Sequence, residues 1–267
     1  MAAYWEREGL LEKILEALAA AGKNLDTLTI EDLAATDHFH TGAKKATDRL
    51  ARLGGLRPGM RVLDVGGGLG GPARTLAVEY GCHVTVVDLT ESYVRVAEAL
   101  TTRLGLADRV THRVGDALAL YVPPGSFDAV WTQNSGMNIA DKERLYAGFA
   151  RALRPGGLLV TQEPMAGHVQ PIVYPVMWAG DASASFLRTP DEMRAIMEAA
   201  GFRVRAWDDI TEEIPGPALA AEIPAHNAQR LIMGDGLDAI IASQRRNRGE
   251  RRLLAIQAVL ELSGSAA

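Results

Sequence analysis

The segment Val62-Leu63-Asp64-Val65-Gly66-Gly67-Gly68-Leu69-Gly70-Gly71-Pro72-Ala73-Arg74 limits what this 267-residue chain can fold into more than any other stretch. It reads as a buried strand, a glycine-dense turn and a helix start. Glycine lets backbone approach a ligand where a Cβ would collide, and it reaches positive φ at little steric cost. Pro72 suits the first helical position, where no N–H is needed. A nucleotide-type ligand at the turn of an α/β sheet follows. Two patterns fit the glycines. Gly66, Gly68 and Gly71 satisfy GxGxxG, the dinucleotide fingerprint, whereas Asp64, Gly66, Gly68 and Gly70 satisfy DxGxGxG. In a dinucleotide site the pyrophosphate rests on the helix N-terminus, close to any carboxylate at the strand's end. Asp64 therefore argues against a pyrophosphate and suits a ligand carrying an ammonium group.

The strand-helix alternation continues. His83 to Asp88 is a β-branched run ending in an acid, 22 positions after Gly66, and such a carboxylate can accept both hydroxyls of a ribose, in NAD as in other nucleosides. Val110 to Val114 predicts a third strand closing on Gly115-Asp116-Ala117, and Ser126 to Asn134 a fourth. A helix with Asp141 as N-cap runs to Leu153, and Arg154-Pro155-Gly156-Gly157 turns the chain into a fifth strand, Leu158 to Gln162. Thr189-Pro190-Asp191-Glu192 starts a helix with a capping box, and Gly201 ends it before a sixth strand, Arg203 to Trp207. Leu253 to Leu262 alternates well enough for a last strand.

These motifs, in the order DVGGGLG, GDA, FDAVW and RALRPGG, resemble those of the class I S-adenosylmethionine-dependent methyltransferases, from about Asp37 to Thr211. The wording GCHVT, VWTQN and EPMA is similar to glycine, sarcosine and dimethylglycine N-methyltransferases and to natural-product methyltransferases of this size. The resemblance implies a Rossmann-like seven-stranded sheet, mostly parallel, with helices on both faces and a lid, its last strand antiparallel and inserted between the fifth and sixth. It implies S-adenosyl-L-methionine as cofactor and S-adenosyl-L-homocysteine as product. By the same resemblance Asp64 with Gly66, Gly67, Gly68 and Gly70 holds the methionyl end, Asp88 the ribose, Leu89 and Asp116 with Ala117 the adenine, and Gln133 meets the methionyl amino group through its backbone. Where many relatives place a histidine pair after the fourth strand, this chain has Asn134-Ser135-Gly136-Met137-Asn138-Ile139.

Flanking segments supply the acceptor-side candidates. Trp5 to Ala21 predicts an amphipathic packing helix carrying Leu10, Leu11, Ile14, Leu15 and Leu18. In related enzymes the segment comparable to Phe39-His40-Thr41-Gly42 folds over the cofactor, which makes Thr41 a cofactor contact, Phe39 a substrate contact and His40 a candidate base. A helix is expected from Ala43 to Leu53. Glu163 to Trp178, rich in proline and aromatics, lacks a clean period and reads as a lid at the carboxyl end of a parallel strand. It adds Glu163 as a second catalytic candidate and His168, Tyr174 and Trp178, with Asn138, as substrate-side residues. Trp178 and Tyr174 together could shelter a cationic amine. Gly216 to Asn247 is expected to be helical in pieces, broken at Gly234 and Gly236, and to pair with the lid or with a second subunit. The expected organisation is a cap over residues 1–53 and a cofactor domain over 54–267, with insertions at about 163–188 and 214–248.

Composition excludes several classes. At 48% hydrophobic and 23% charged the chain can bury a substantial core. A net charge of −5 and a pI near 5.7 give no general attraction to a phosphate backbone, so nucleic acid is not the expected substrate. No apolar run reaches spanning length, so no membrane partner and a cytoplasmic location are expected. Lone Cys82 offers neither an internal disulfide nor a cysteine-based zinc site and reads as buried filler; no metal is expected. The expected activity is methyl transfer to a small-molecule acceptor, with an amine as one candidate and an O- or C-methylated natural product as another, by a chain that could dimerise. An NAD-dependent oxidoreductase and a non-catalytic cofactor-binding module stay open on sequence alone.

Overall fold

Arg61–Val65 (β1) is buried at every residue after Arg61 and apolar there except at Asp64, the pattern of a strand covered on both faces of a parallel sheet. A computed structural model of the chain, describing residues 5–214 and 222–263, places it third in a sheet of seven strands. The others are His83–Asp88 (β2), Val110–Val114 (β3), Phe127–Gln133 (β4), Leu153–Ala166 (β5), Phe202–Asp209 (β6) and Leu253–Leu262 (β7). Their order is β3-β2-β1-β4-β5-β7-β6. The pairs among β1 to β5 are parallel, while β7 lies antiparallel between β5 and β6, as the family resemblance implied. The order reverses beside β1, where the chain crosses to β4, and open α/β sheets bind ligands outside the carboxyl ends of strands at such a point.

One sheet face is filled by Leu63, Val65, Val130, Tyr146, Phe149 and Leu159 with their neighbours, the other by Val62, Trp131, Ala73, Leu76 and Leu50 with theirs. The helices on these faces are Ala43–Leu53 (α3), Gly71–Glu79 (α4), Glu91–Arg103 (α5), Lys142–Ala152 (α6) and Pro190–Ala199 (α7). Asp141 caps α6 and Thr189 forms a capping box with Glu192 at α7, both as the sequence predicts. Cys82 is buried as filler, and its thiol is pushed up to about 11 by burial, with the Asp128 charge acting in the same direction.

Several expectations need correction. Gly9 adopts φ +63 and serves as N-cap, so the first described helix is Leu10–Ala20 (α1) and does not run unbroken from Trp5; it buries Leu10, Ile14 and Leu18 and is followed by Ile30–Asp37 (α2). Helix α4 begins at Gly71, which makes Pro72 its second residue. The Arg154–Gly157 turn is absorbed into β5 through a register shift opposite Phe127 and Ala129, so that strand is longer than five residues. The region from Gly216 onward lies outside the described residues up to Ala221. Beyond it the chain forms Ala228–Met233 (α8), a 3₁₀ turn at Gly234–Gly236 and Leu237–Gly249 (α9), in the pieces the glycines suggest.

The extra segments pack on one another. Helix α1 shares a cluster with Tyr93, Val96 and Leu100 of α5 and with Ala228 and Ile232 of α8. Asn247 of α9 donates to the Val173 carbonyl and accepts from the Val173 N–H, while Met177 packs against Leu237 and Ile241. The late helices thus pair with the proline-rich segment. Among the described residues no helix is long and apolar enough to cross a membrane.

Candidate functional site

A cavity of about 440 Å³ opens at the carboxyl ends of β1, β2 and β4, within the range of small-molecule sites. The register explains why acids and glycines meet there. Asp64 pairs with Val86 on one side and Trp131 on the other, so the ends of three strands stand level, and the glycine turn after β1 closes over them. Gly66, at φ +76, would drive a Cβ into Ser135, and Gly67 would drive one into Val86 and the Asp64 carboxylate. Bare backbone is required at both. Gly68 donates its N–H to Asp88 Oδ2 at 2.9 Å and Thr90 donates to Asp88 Oδ1 at 2.8 Å, which fixes the carboxylate at the end of β2.

Asp64 is the most perturbed of these groups. It is 2% exposed, its Oδ2 has no hydrogen-bond partner, and burial, reinforced by the Asp88 charge, pushes its carboxyl up to about 8. Asp88 is raised too, by burial, with the Thr90 and Gly68 N–H groups opposing. A buried, unpaired carboxylate lining a cavity is a cation site waiting for its partner. The methionyl ammonium of S-adenosylmethionine fits that orphaned oxygen.

Gly71 sits so tightly against Asp37 and His38 that a Cβ there would strike both, so the segment leading to α3 closes down on the start of α4. Asp37 is held there by Arg74, whose Nη2 donates to its Oδ2 at 2.8 Å, and by His38 Nδ1 at 2.7 Å from Oδ1. Although burial opposes ionisation, the His38 and Arg74 charges hold Asp37 below the usual carboxylate range. Arg74 also donates to the Leu69 and Ala97 carbonyls.

Of the residues expected at the site, Asp64, Gly66, Gly67, Gly68, Asp88, Leu89, Asp116, Ala117, Gln133, Phe39, His40 and Asn138 line the cavity. Gln133 spends its side chain on Thr47 and Trp131, whose donors reach its Oε1 at 3.0 and 3.2 Å. Asn138 donates to the Trp178 and Ala184 carbonyls, and Asp116 caps the short turn after β3 through the Leu118 N–H.

Six expected residues do not reach the cavity lining. Gly70, at φ +79, is the N-cap of α4, and its α-carbon faces His112 and Arg74. Thr41 stands behind Asn134, accepting its Nδ2 at 3.1 Å. Glu163 lies beneath the loop after β4: its carboxylate accepts the Gly136 N–H at 3.0 and 3.1 Å and the Thr132 hydroxyl at 3.3 Å. His168 is exposed. Trp178 is buried with Met137, Ile172 and Val176 in a satellite cluster against which Tyr174 packs, so the two rings serve packing and form no amine cage. His40 reaches the cavity, yet its Nε2 lies 3.0 Å from Thr47 Oγ1 and its Nδ1 3.3 Å from the Thr41 carbonyl. Burial, with the His38 charge, lowers it to about 3. A ring engaged at both nitrogens and so weakly basic is a poor general base.

Other lining residues went unread in the sequence. Trp5, Tyr93, Met137 and Phe186 come from four separate segments and share no local pattern; Tyr93 reads only as part of the buried face of α5. Asn134 carried one detectable signal, being an asparagine after a strand, and adopts φ +52, a conformation asparagine tolerates better than most residues.

The comparisons agree with this geometry. A family profile described as a methyltransferase domain matches residues 62–157. The 27-O-demethylrifamycin SV methyltransferase of Amycolatopsis mediterranei is 30% identical, over 72% of this chain and 71% of its own length. A sterol 24-C-methyltransferase of Gibberella zeae is 32% identical over 61% of this chain but only 45% of its own, so the chain spans less than half of that relative. The crystal structure of geranyl diphosphate C-methyltransferase from Streptomyces coelicolor A3(2) superposes with a TM-score of 0.71 at 18% identity, covering 95% of this chain and 98% of that one. A glycine turn over an unpaired acid, the inserted antiparallel strand and a relative aligned along most of both chains lead to one assignment: this chain belongs to the S-adenosylmethionine-dependent methyltransferases.

Proposed function

We propose that the chain transfers a methyl group to a small-molecule acceptor held in the cavity above β1 and β4. The observation that carries this reading is the unpaired Asp64 Oδ2 under the glycine turn, one strand from Asp88. When bound, S-adenosylmethionine supplies an electrophilic sulfonium methyl. The protein's part is to fix donor and acceptor in line and exclude water, and positioning of this kind lowers a barrier by about 7–11 kcal/mol. In this reading Asp64 and the Gly66–Gly68 backbone hold the methionyl end, Asp88 orients the ribose, and Leu89 with Asp116 and Ala117 bounds the adenine. Segment 167–188 acts as the lid, contributing Phe186 to the cavity and donating the Phe186 N–H to the Met137 carbonyl. Because neither His40 nor Glu163 stands free at the cavity, the protein works by orientation more than by proton abstraction. An amine acceptor is one form of the reading, although it has lost the support of Tyr174 and Trp178. Calorimetric titration with S-adenosylmethionine, S-adenosylhomocysteine and NAD in parallel tests the reading: micromolar binding of the adenosyl compounds alone is expected, and binding of NAD alone would sink it.

A further inference from the structure

With the ends of β1, β2 and β3 given to the cofactor, the remaining cavity wall comes from the N-terminal segment, the first turn of α5, the loop after β4 and the lid. It is built from Trp5, Phe39, Tyr93, Met137, Ile139 and Phe186. The Trp5 ring stands edge-on to Phe39 at 5.9 Å between centroids and 6.4 Å from Tyr93, making a continuous aromatic panel. Such a wall recognises an apolar body by contact area.

Five aspartates reach the cavity, and no lysine or arginine is among its lining residues. Asp64, Asp88 and Asp116 face the cofactor in that reading and Asp37 is paired with Arg74, so the acceptor's wall offers no cation to an anionic group. His40 adds no positive charge, because burial, with the His38 charge, keeps its ring neutral. The buried cations behind the wall are committed elsewhere. Arg74 is bound to Asp37 and the Leu69 carbonyl, and Lys142 Nζ to the Gly136 and Ile139 carbonyls at 2.5 and 2.6 Å. Residues 1–4, 215–221 and 264–267, outside the described part, contain no lysine, arginine or histidine. Among the described residues no group of three His, Cys, Asp or Glu side chains could hold a metal ion.

We infer, resting on the methyl-transfer reading above, that the acceptor is an uncharged molecule with an apolar body, and that carboxylated and phosphorylated acceptors are excluded. An anion entering this cavity would lose its hydration and gain no lysine or arginine in return. Specificity would come from that uncompensated desolvation as much as from the aromatic panel. The acceptor's nucleophilic atom would belong to a neutral group such as a hydroxyl, an unprotonated amine or an alkene carbon.

Three ligands sharing one apolar body separate charge from shape: geraniol, geranate and geranyl diphosphate. Each is titrated calorimetrically into the protein saturated with S-adenosylhomocysteine, the diphosphate with and without Mg²⁺. Geraniol is expected to bind at least tenfold more tightly than either anion, with or without the metal. A Phe186→Arg variant that still binds S-adenosylhomocysteine is expected to gain at least tenfold in affinity for geranate. Geranate or geranyl diphosphate binding as tightly as geraniol would overturn the inference. So would a failure of geraniol to bind protein that does bind S-adenosylhomocysteine. Loss of S-adenosylhomocysteine binding by the unmodified protein would refute the methyltransferase reading instead, so the two failures are distinguishable.

Discussion

Cofactor binding should release a proton, and Asp64 sets how much. Its carboxyl is pushed up to about 8 by burial, with the Asp88 charge adding to the effect. In the unliganded protein at pH 7, about nine Asp64 carboxyls in ten are therefore protonated, and at pH 6 nearly all. An ammonium can pair only with the ionised form. Stripping the proton costs ~1.4 kcal/mol at pH 7 and ~2.7 kcal/mol at pH 6, about 1.4 kcal/mol per pH unit. The native state holds a proton that the unfolded chain has already released, so the unliganded fold loses stability as pH rises from about 4 to about 8. The bound state runs the other way. The dissociation constant for S-adenosylhomocysteine should fall about tenfold from pH 6 to pH 7, then level off above about pH 8, where Asp64 is already ionised in the free protein. Calorimetry at pH 6.0, 6.5 and 7.0 in buffers of differing ionisation enthalpy reads both the affinity and the protons, with close to one proton released per ligand at pH 6. Asp64→Asn should abolish the release and flatten the profile at weak affinity. A pH-independent dissociation constant with no proton release in the unmodified protein would refute the assignment of Asp64 as the ammonium's partner.

The two outer glycines of the turn give a contrast: Gly66→Ala should eliminate S-adenosylhomocysteine binding because its Cβ meets Ser135, whereas Gly68→Ala, at φ +54 with nothing within 4 Å, should cost only ~1–3 kcal/mol of strain, measured by urea denaturation. Arg74→Met leaves Asp37 buried without its cation and should destabilise the fold by ~3–5 kcal/mol; the Arg74→Met/Asp37→Asn double variant should recover part of that loss, and a double variant no better than the single one would argue against the pairing. Glu163→Gln keeps the shape under the Ser135–Asn138 loop but removes the charge opposite Lys142; kcat should fall while the dissociation constant for S-adenosylhomocysteine changes less than about threefold, and equal losses in both would contradict a role confined to loop placement. His168→Ala and Tyr174→Phe lie outside the cavity and should leave the acceptor KM within about twofold, as steady-state kinetics would show.

The sheet was legible because each strand's cue is local. Alternating strands and helices, Asp141 and Thr189 as caps, and the glycine turn after Val65 all depend on residues within a few positions of one another. Errors at the strand level were of length, as at β5, where the bulge opposite Phe127 lets the ladder run through a Pro-Gly-Gly turn that reads as a break. The cofactor-facing acids were legible for the same reason, since a strand's last residue must lie at the sheet's edge. Side-chain commitments were not legible. His40 looks like a base until Thr47 and the Thr41 carbonyl occupy its ring, and Glu163 looks catalytic until the Gly136 N–H claims it. Trp178 and Tyr174 are spent on packing under the lid. By itself the sequence determined an α/β chain with an ammonium-seeking acid beneath a glycine turn, because backbone conformation there follows from residue type. Only the tertiary structure decided the acceptor wall, since Trp5, Phe39, Met137 and Phe186 meet through contacts between distant segments. Burial, which sets both the charge of Asp64 and the neutrality of His40, exists only once those segments have packed.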